Sequence, residues 1–228
     1  RGAYLVRGLG HCGACHSPRD FLGAPVSSAE LAGSALPAGD WYAPSLTDLA
    51  EAGVAHWSVD DVVALLGSGR SAHASTLGPM AEIVFDSLQF VTDADLRAMA
   101  VFLRSLPQDT TEPAAAEAPD AAVLQRGRAL YDDRCADCHG DEGQGASGAV
   151  PALAGNRAVT MPSSTNLIRI VLDGGFPPAT AGNPRPYGMP PFAQLLGDEE
   201  IAALTTYLRN AWGNRAAAVT AIDILRPR

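Results

Sequence analysis

With 228 residues, 47% of them hydrophobic, the chain has enough apolar material for one large core or two cores of about 100 residues each. Its formal charge is −9, from 16 basic and 25 acidic residues, and lysine is absent, which argues against a nucleic-acid partner. No apolar run reaches the roughly 18 residues of a membrane-spanning helix, and no signal peptide opens the chain, so the expectation is a mature or trimmed portion of something longer.

The first residues, Arg1-Gly2-Ala3-Tyr4-Leu5, read as a short helical stretch. They lead into Cys12-Gly13-Ala14-Cys15-His16, followed by Pro18 and Arg19. Trp41-Tyr42-Ala43-Pro44 lies in a loop region. Asp60–Leu66 reads as a central helix, and Met80 follows in a loop, in Leu77-Gly78-Pro79-Met80. A closing helix runs over Thr92–Arg104. Thr92 or Asp93 caps it, and Leu96, Met99, Ala100 and Leu103 form an apolar stripe at spacings of three and four. Pro107 ends it. Residues 109–120 contain no large apolar side chain and two prolines, which predicts a linker between units 1–108 and 121–228.

The second unit repeats the plan. Arg126–Tyr131 is helical and leads into Cys135-Ala136-Asp137-Cys138-His139, 123 positions after the first frame. Pro151, Asn156 and Arg157 follow in a loop, and Asn166–Leu172 is the central helix. Met189 lies in the loop Tyr187-Gly188-Met189-Pro190. Gly197–Arg209 closes the unit, with Ile201, Leu204 and Leu208 repeating the stripe and Gly213 as the stop. The expected fold class is all-α: two tandem small helical domains, with β structure weakly supported.

The two C-x-x-C-H frames account for all four cysteines. A single frame also suits a redox thiol pair or half a zinc site. Two frames at matching places point to two covalent haem c groups. In each, two thiols reach the vinyl-derived positions of one haem, and the next residue falls under the iron as its proximal ligand. Cys12, Cys15 and His16 would hold the first haem, and Cys135, Cys138 and His139 the second. The sixth ligands are expected at Met80 and Met189, which sit at equivalent places. His73 competes in the first unit and Met161 in the second, whereas Met99 belongs to a helix stripe. Trp41, Tyr42 and Arg19 are candidate haem-edge residues in the first unit, with Asn156 and Arg157 as their counterparts in the second. Ordinary packing or a solvated surface is the competing reading of each. Pro18 and Pro151 are candidates to offer a carbonyl to the proximal histidine's other ring nitrogen. Asp132, Asp133, Asp137, Asp141 and Glu142 read as a solvated acidic face.

The chain resembles the multihaem cytochrome c subunits of bacterial membrane-bound alcohol, aldehyde and sugar-acid dehydrogenase complexes. The resemblance is carried by Tyr4–Arg19, Trp41–Pro44, Leu77–Glu82, Pro151–Asn156, Gly188–Pro190 and Trp212–Asn214. It implies two class I-like cytochrome c domains, with Met80 and Met189 as sixth iron ligands. It further implies an electron relay on the periplasmic face of the inner membrane. Electrons would come from a dehydrogenase subunit of quinoprotein, flavin or molybdenum type and pass toward ubiquinone or a terminal acceptor. Family members usually carry three haem domains and a membrane-associating C-terminal segment, and the resemblance covers the second and third domains. A free dihaem shuttle, and further off a dihaem peroxidase or thiosulfate-oxidising cytochrome, are the alternatives. No acid-base-nucleophile constellation is evident.

Overall fold

The computed structural model describes residues 1–36, 41–110, 117–225 and 227. The chain is all-α apart from a two-residue antiparallel ladder and isolated bridges. It divides into two compact units, Arg1–Thr111 with Pro177–Arg185, and Glu112–Phe176 with Pro186–Arg228. The excursion Pro177–Arg185 thus groups with the first unit, a feature that no local pattern announces. Of the expected 109–120 linker, residues 111–116 lie outside the described residues. Its two ends are structured. Asp109 N–H donates to the Thr47 carbonyl (2.6 Å), and the Asp120 side chain caps the following helix through Ala122 N–H (2.7 Å).

In the first unit, α1 (Gly2–Tyr4) runs into a π-helical turn, Leu5–Leu9. Then come α2 (Gly13–His16), the ladder β1 (Ser34–Ala35) with β2 (Tyr42–Ala43), α3 (Val59–Ser68), α4 (Pro79–Asp86) and α5 (Asp93–Ser105). Thr92 caps α5, its hydroxyl accepting from Asp95 N–H (3.2 Å). Leu96, Met99, Ala100 and Leu103 are all buried. They join Leu5, Val6, Val62, Leu66 and Val84 in one core, against which Cys12 and Met80 pack. The helix ends at Ser105, ahead of Pro107 as expected.

The second unit contains α6 (Ala121–Arg134), α7 (Ala136–His139), α8 (Arg157–Thr160), α9 (Thr165–Asp173), α10 (Asp198–Asn210) and α11 (Ala221–Leu225). Ile201, Leu204 and Leu208 of α10 are buried with Leu167, Ile168, Val171 and Leu172 of α9. Glu200 accepts from Gly197 N–H (2.9 Å) and fixes the start of α10. That helix stops at Asn210, three residues before the expected Gly213, because Ala211 is already extended and Trp212 takes a positive φ of 52°.

In each unit the first helix crosses the long helix that follows the methionine, α1 on α5 and α6 on α10, and a glycine sits at each crossing. A Cβ on Gly2 would lie 2.0 Å from the Ala98 carbonyl oxygen, and one on Gly127 would lie 2.2 Å from that of Ala203. The absence of a side chain lets the backbones touch. Gly2 is ten residues before Cys12, whereas Gly127 is eight before Cys135. The wide π turn and the His11 backbone, at φ 31°, absorb the surplus.

Candidate haem-attachment sites

Each C-x-x-C-H frame folds into one helical turn. His16 N–H donates to Cys12 O (2.9 Å) and His139 N–H to Cys135 O (2.9 Å). The i, i+3 and i+4 spacing then gathers two thiols and an imidazole on one face. Cys135 is buried and Cys12 half-buried, while Cys15 and Cys138 are exposed, and no disulfide joins them. Burial raises the Cys12 thiol pKa and pushes that of Cys135 up to about 11. Among the described residues, no three His, Cys, Asp or Glu side chains converge to hold a metal ion by themselves.

The imidazoles are oriented from behind. His16 Nδ1 lies 2.7 Å from the Pro44 carbonyl oxygen, and His139 Nδ1 lies 3.1 Å from that of Pro151. A ring that donates from Nδ1 is left with its Nε2 lone pair free for a metal. Burial lowers both imidazole pKa values, against the smaller raising effect of the carbonyls, and so favours the neutral ring. Pro151 plays the role expected of it. In the first unit the acceptor is Pro44 rather than Pro18, whose carbonyl instead accepts from Val26 N–H (2.8 Å).

Pro44 is held in place by the residues around it. The buried Glu51 carboxylate accepts from Ser45 N–H (2.6 Å) and from the Tyr42 hydroxyl (2.9 Å). Burial and then Glu51 raise the Tyr42 pKa. The hydroxyl of Tyr42 is therefore occupied by Glu51, which the sequence reading missed. The Arg19 guanidinium donates to the Gly23 carbonyl (2.7 Å) and to that of Ala14 inside the first frame. Asn156 caps α8, accepting from Ala158 N–H (2.9 Å) and donating to the Ala152 carbonyl (2.7 Å). Both ends of its amide are in use. Asn214 ties the loop after Pro151 to α10, accepting from Gly155 N–H (2.9 Å) and donating to the carbonyls of Leu153 (3.1 Å) and Leu208 (2.8 Å).

Met80 is not in a loop: it is the second residue of α4, after Pro79 at the first helical position. Gly78, at φ 57°, admits the Trp41 ring, whose Cη2 would be 2.6 Å from a Cβ there. Trp41 therefore packs over the turn that presents Met80. Met189 does lie in a loop and pairs with Gly175 through two backbone hydrogen bonds (2.8 and 3.0 Å). Each methionine packs on the same core as the first cysteine of its unit, Met80 with Cys12 and Met189 with Cys135. Met99 is a core residue (3% exposed). Met161 is also buried (5% exposed). His73 is exposed, stacks on Trp57 (4.8 Å between centroids) and approaches Asp61 (3.5 Å). An aromatic trio not foreseen from sequence, Tyr131, Tyr207 and Trp212, backs the second frame, with centroids 4.9–5.7 Å apart.

Residues 124–212 match the cytochrome c family. The whole chain aligns at 39% identity with the cytochrome c subunit of the quinone-type alcohol dehydrogenase of Gluconobacter oxydans, covering 51% of that protein. Over 98% of its length it is 37% identical to the gluconate 2-dehydrogenase cytochrome c subunit of Pantoea cypripedii, covering 54% of it. It is 36% identical to the fructose dehydrogenase cytochrome subunit of Gluconobacter japonicus over its full length, covering 51% of that relative. The chain thus spans about half the length of the curated relatives it matches. Among the described residues, no helix is long and apolar enough to cross a membrane. Residues 124–212 thus match the cytochrome c family, and the chain as a whole is similar to the cytochrome c subunits of bacterial dehydrogenase complexes over about half of their length.

Proposed function

We propose that the chain is a two-haem electron relay at the periplasmic face of the inner membrane. Each unit holds one haem c by thioethers, from Cys12 and Cys15 in the first and from Cys135 and Cys138 in the second. His16 and His139 are the proximal ligands, and Met80 and Met189 the distal ones. The observation that carries this reading is the duplicated turn: two C-x-x-C-H helices, each with its imidazole hooked by Nδ1 to a prolyl carbonyl. The packing of each methionine and first cysteine on one core supports the ligand pairs. When bound, the iron supplies a one-electron couple that the methionine thioether biases toward the ferrous state. His16 with Met80, and His139 with Met189, would hold the two irons, so the chemistry they would supply is electron transfer. The protein's work is to hold the group, exclude water from it and keep its ligands in place. Trp41 covers the edge of the first site. Arg19, Tyr42 and Asn156 brace the loops around the two sites.

Electrons come from a partner that oxidises an alcohol, aldehyde or sugar with a quinoprotein, flavin or molybdenum cofactor. They leave toward ubiquinone or a terminal acceptor. The names of the three relatives support this class of partner. Affinity capture of the full-length gene product from solubilised membranes tests it. Stoichiometric recovery with a cofactor-bearing dehydrogenase is expected. Recovery of the cytochrome alone, in the soluble fraction, would contradict the relay and favour a free shuttle.

A further inference from the structure

The two closing helices carry an arginine at the same place, Arg104 in Phe102-Leu103-Arg104 and Arg209 in Tyr207-Leu208-Arg209. Their surroundings differ. Arg104 is half-buried, and its Nε is buried with no hydrogen-bond partner. Arg209 is 1% exposed. Its Nε donates to the Ala217 carbonyl (2.8 Å), and its Nη1 donates to the carbonyls of Val159 (2.8 Å) and Met161 (3.0 Å). Arg1, Arg7, Arg97, Arg128, Arg134 and Arg169 each face a carboxylate. Among the described residues, none pairs with Arg209. Burial alone acts on its pKa, pushing it down, and a guanidinium remains charged regardless.

Three carbonyl dipoles accept from three of its five N–H groups but carry no net charge. The field of the cation therefore reaches beyond them, through a dry interior where water and salt screen it little. Val159 and Leu208 belong to the same core as Cys135, against which Met189 packs. Any group held by Cys135, Cys138, His139 and Met189 shares that core. Adding one electron lowers the charge of such a group by one, and a fixed neighbouring cation favours the lower charge.

We propose that Arg209 sets the reduction potential of the second unit's haem: its buried, carboxylate-free positive charge stabilises the one-electron-reduced state. The more hydrated Arg104 exerts the weaker effect in the first unit. The inference rests on the two-haem reading above. The test is an optical redox titration of the full haem-loaded chain, which resolves two one-electron steps. Met80→Ala assigns them, because it moves the first unit's step alone. Arg209→Gln is expected to shift the second unit's midpoint downward and leave the first in place. Arg209→Lys keeps the charge but cannot reproduce the three-carbonyl geometry, so it lowers thermal stability and leaves the midpoint near that of the unaltered chain. An Arg209→Gln chain with both haems bound and an unshifted second midpoint overturns the proposal. If that variant does not fold, Arg209→Lys decides, since a midpoint falling along with stability makes the residue merely structural. One haem and one step in the unaltered chain would overturn the two-haem reading instead.

Discussion

Replacing Gly127 by alanine sets two effects against each other. Within a helix, alanine is favoured over glycine by about 1 kcal/mol, and Gly127 lies in the middle of α6. At the crossing, however, the new Cβ would stand 2.2 Å from the Ala203 carbonyl oxygen and 2.6 Å from the Tyr207 Cβ. Neither atom can rotate away. The helices would have to part by roughly 1 Å to restore ordinary contact distances, loosening packing along the whole α6–α10 seam. Overpacking of this kind costs about 1–3 kcal/mol. The clash is with backbone, so the upper end of that range applies, and the expected net loss is about 2 kcal/mol after the propensity gain. Hydrogen exchange of peptides from α6 and α10 in the haem-loaded chain reads this loss locally, with α5 of the first unit as internal control. The corresponding thermal shift is about 8–16 °C for a unit of this size. Unchanged or increased protection of α6 and α10 would mean that propensity wins, and would refute the close-crossing argument.

Other consequences follow from the same geometry. Met80→Ala and Met189→Ala should each abolish one methionine-ligated low-spin signal in the haem-loaded chain, and loss of neither would refute the distal assignment. Glu51→Ala removes the acceptor of Ser45 N–H and the Tyr42 hydroxyl. The orphaned buried donors should cost about 1–3 kcal/mol, and the proton signal of His16 should move, because Pro44 adjoins Ser45. A normal melt with an unmoved His16 signal would contradict this. Burial pushes the Tyr131 phenol up from 10.0 to about 12. The folded state therefore holds a proton that the unfolded state releases, and stability should fall as pH rises from about 10 to 12. Tyr131→Phe should flatten that alkaline loss, and an unchanged pH profile would remove Tyr131 as its source.

What the sequence made legible was local. The two C-x-x-C-H frames need only one helical turn each, and the stripes of α5 and α10 declare their buried faces residue by residue. Pro151, twelve residues beyond His139, could be named as one candidate acceptor, though sequence could not choose among the prolyl carbonyls. Pro44 lies twenty-eight residues from His16 and reaches it through a ladder and the Glu51 carboxylate, which have no local signature. Met80 could have been placed in a helix, since Pro79 is the residue expected at a first helical position. Asn156 could likewise have been read as an N-cap. No pattern forecast Arg209, because its partners are carbonyls and any residue type can supply one. The grouping of Pro177–Arg185 with the first unit is equally a matter of long-range packing.

The central claim is that each unit carries one covalent haem, and intact-mass measurement of the mature chain, with haem content per chain, tests it most directly. Two haems are expected on the unaltered chain and one on either paired variant, Cys12→Ala with Cys15→Ala or Cys135→Ala with Cys138→Ala. A fully matured chain carrying one haem or none would contradict it.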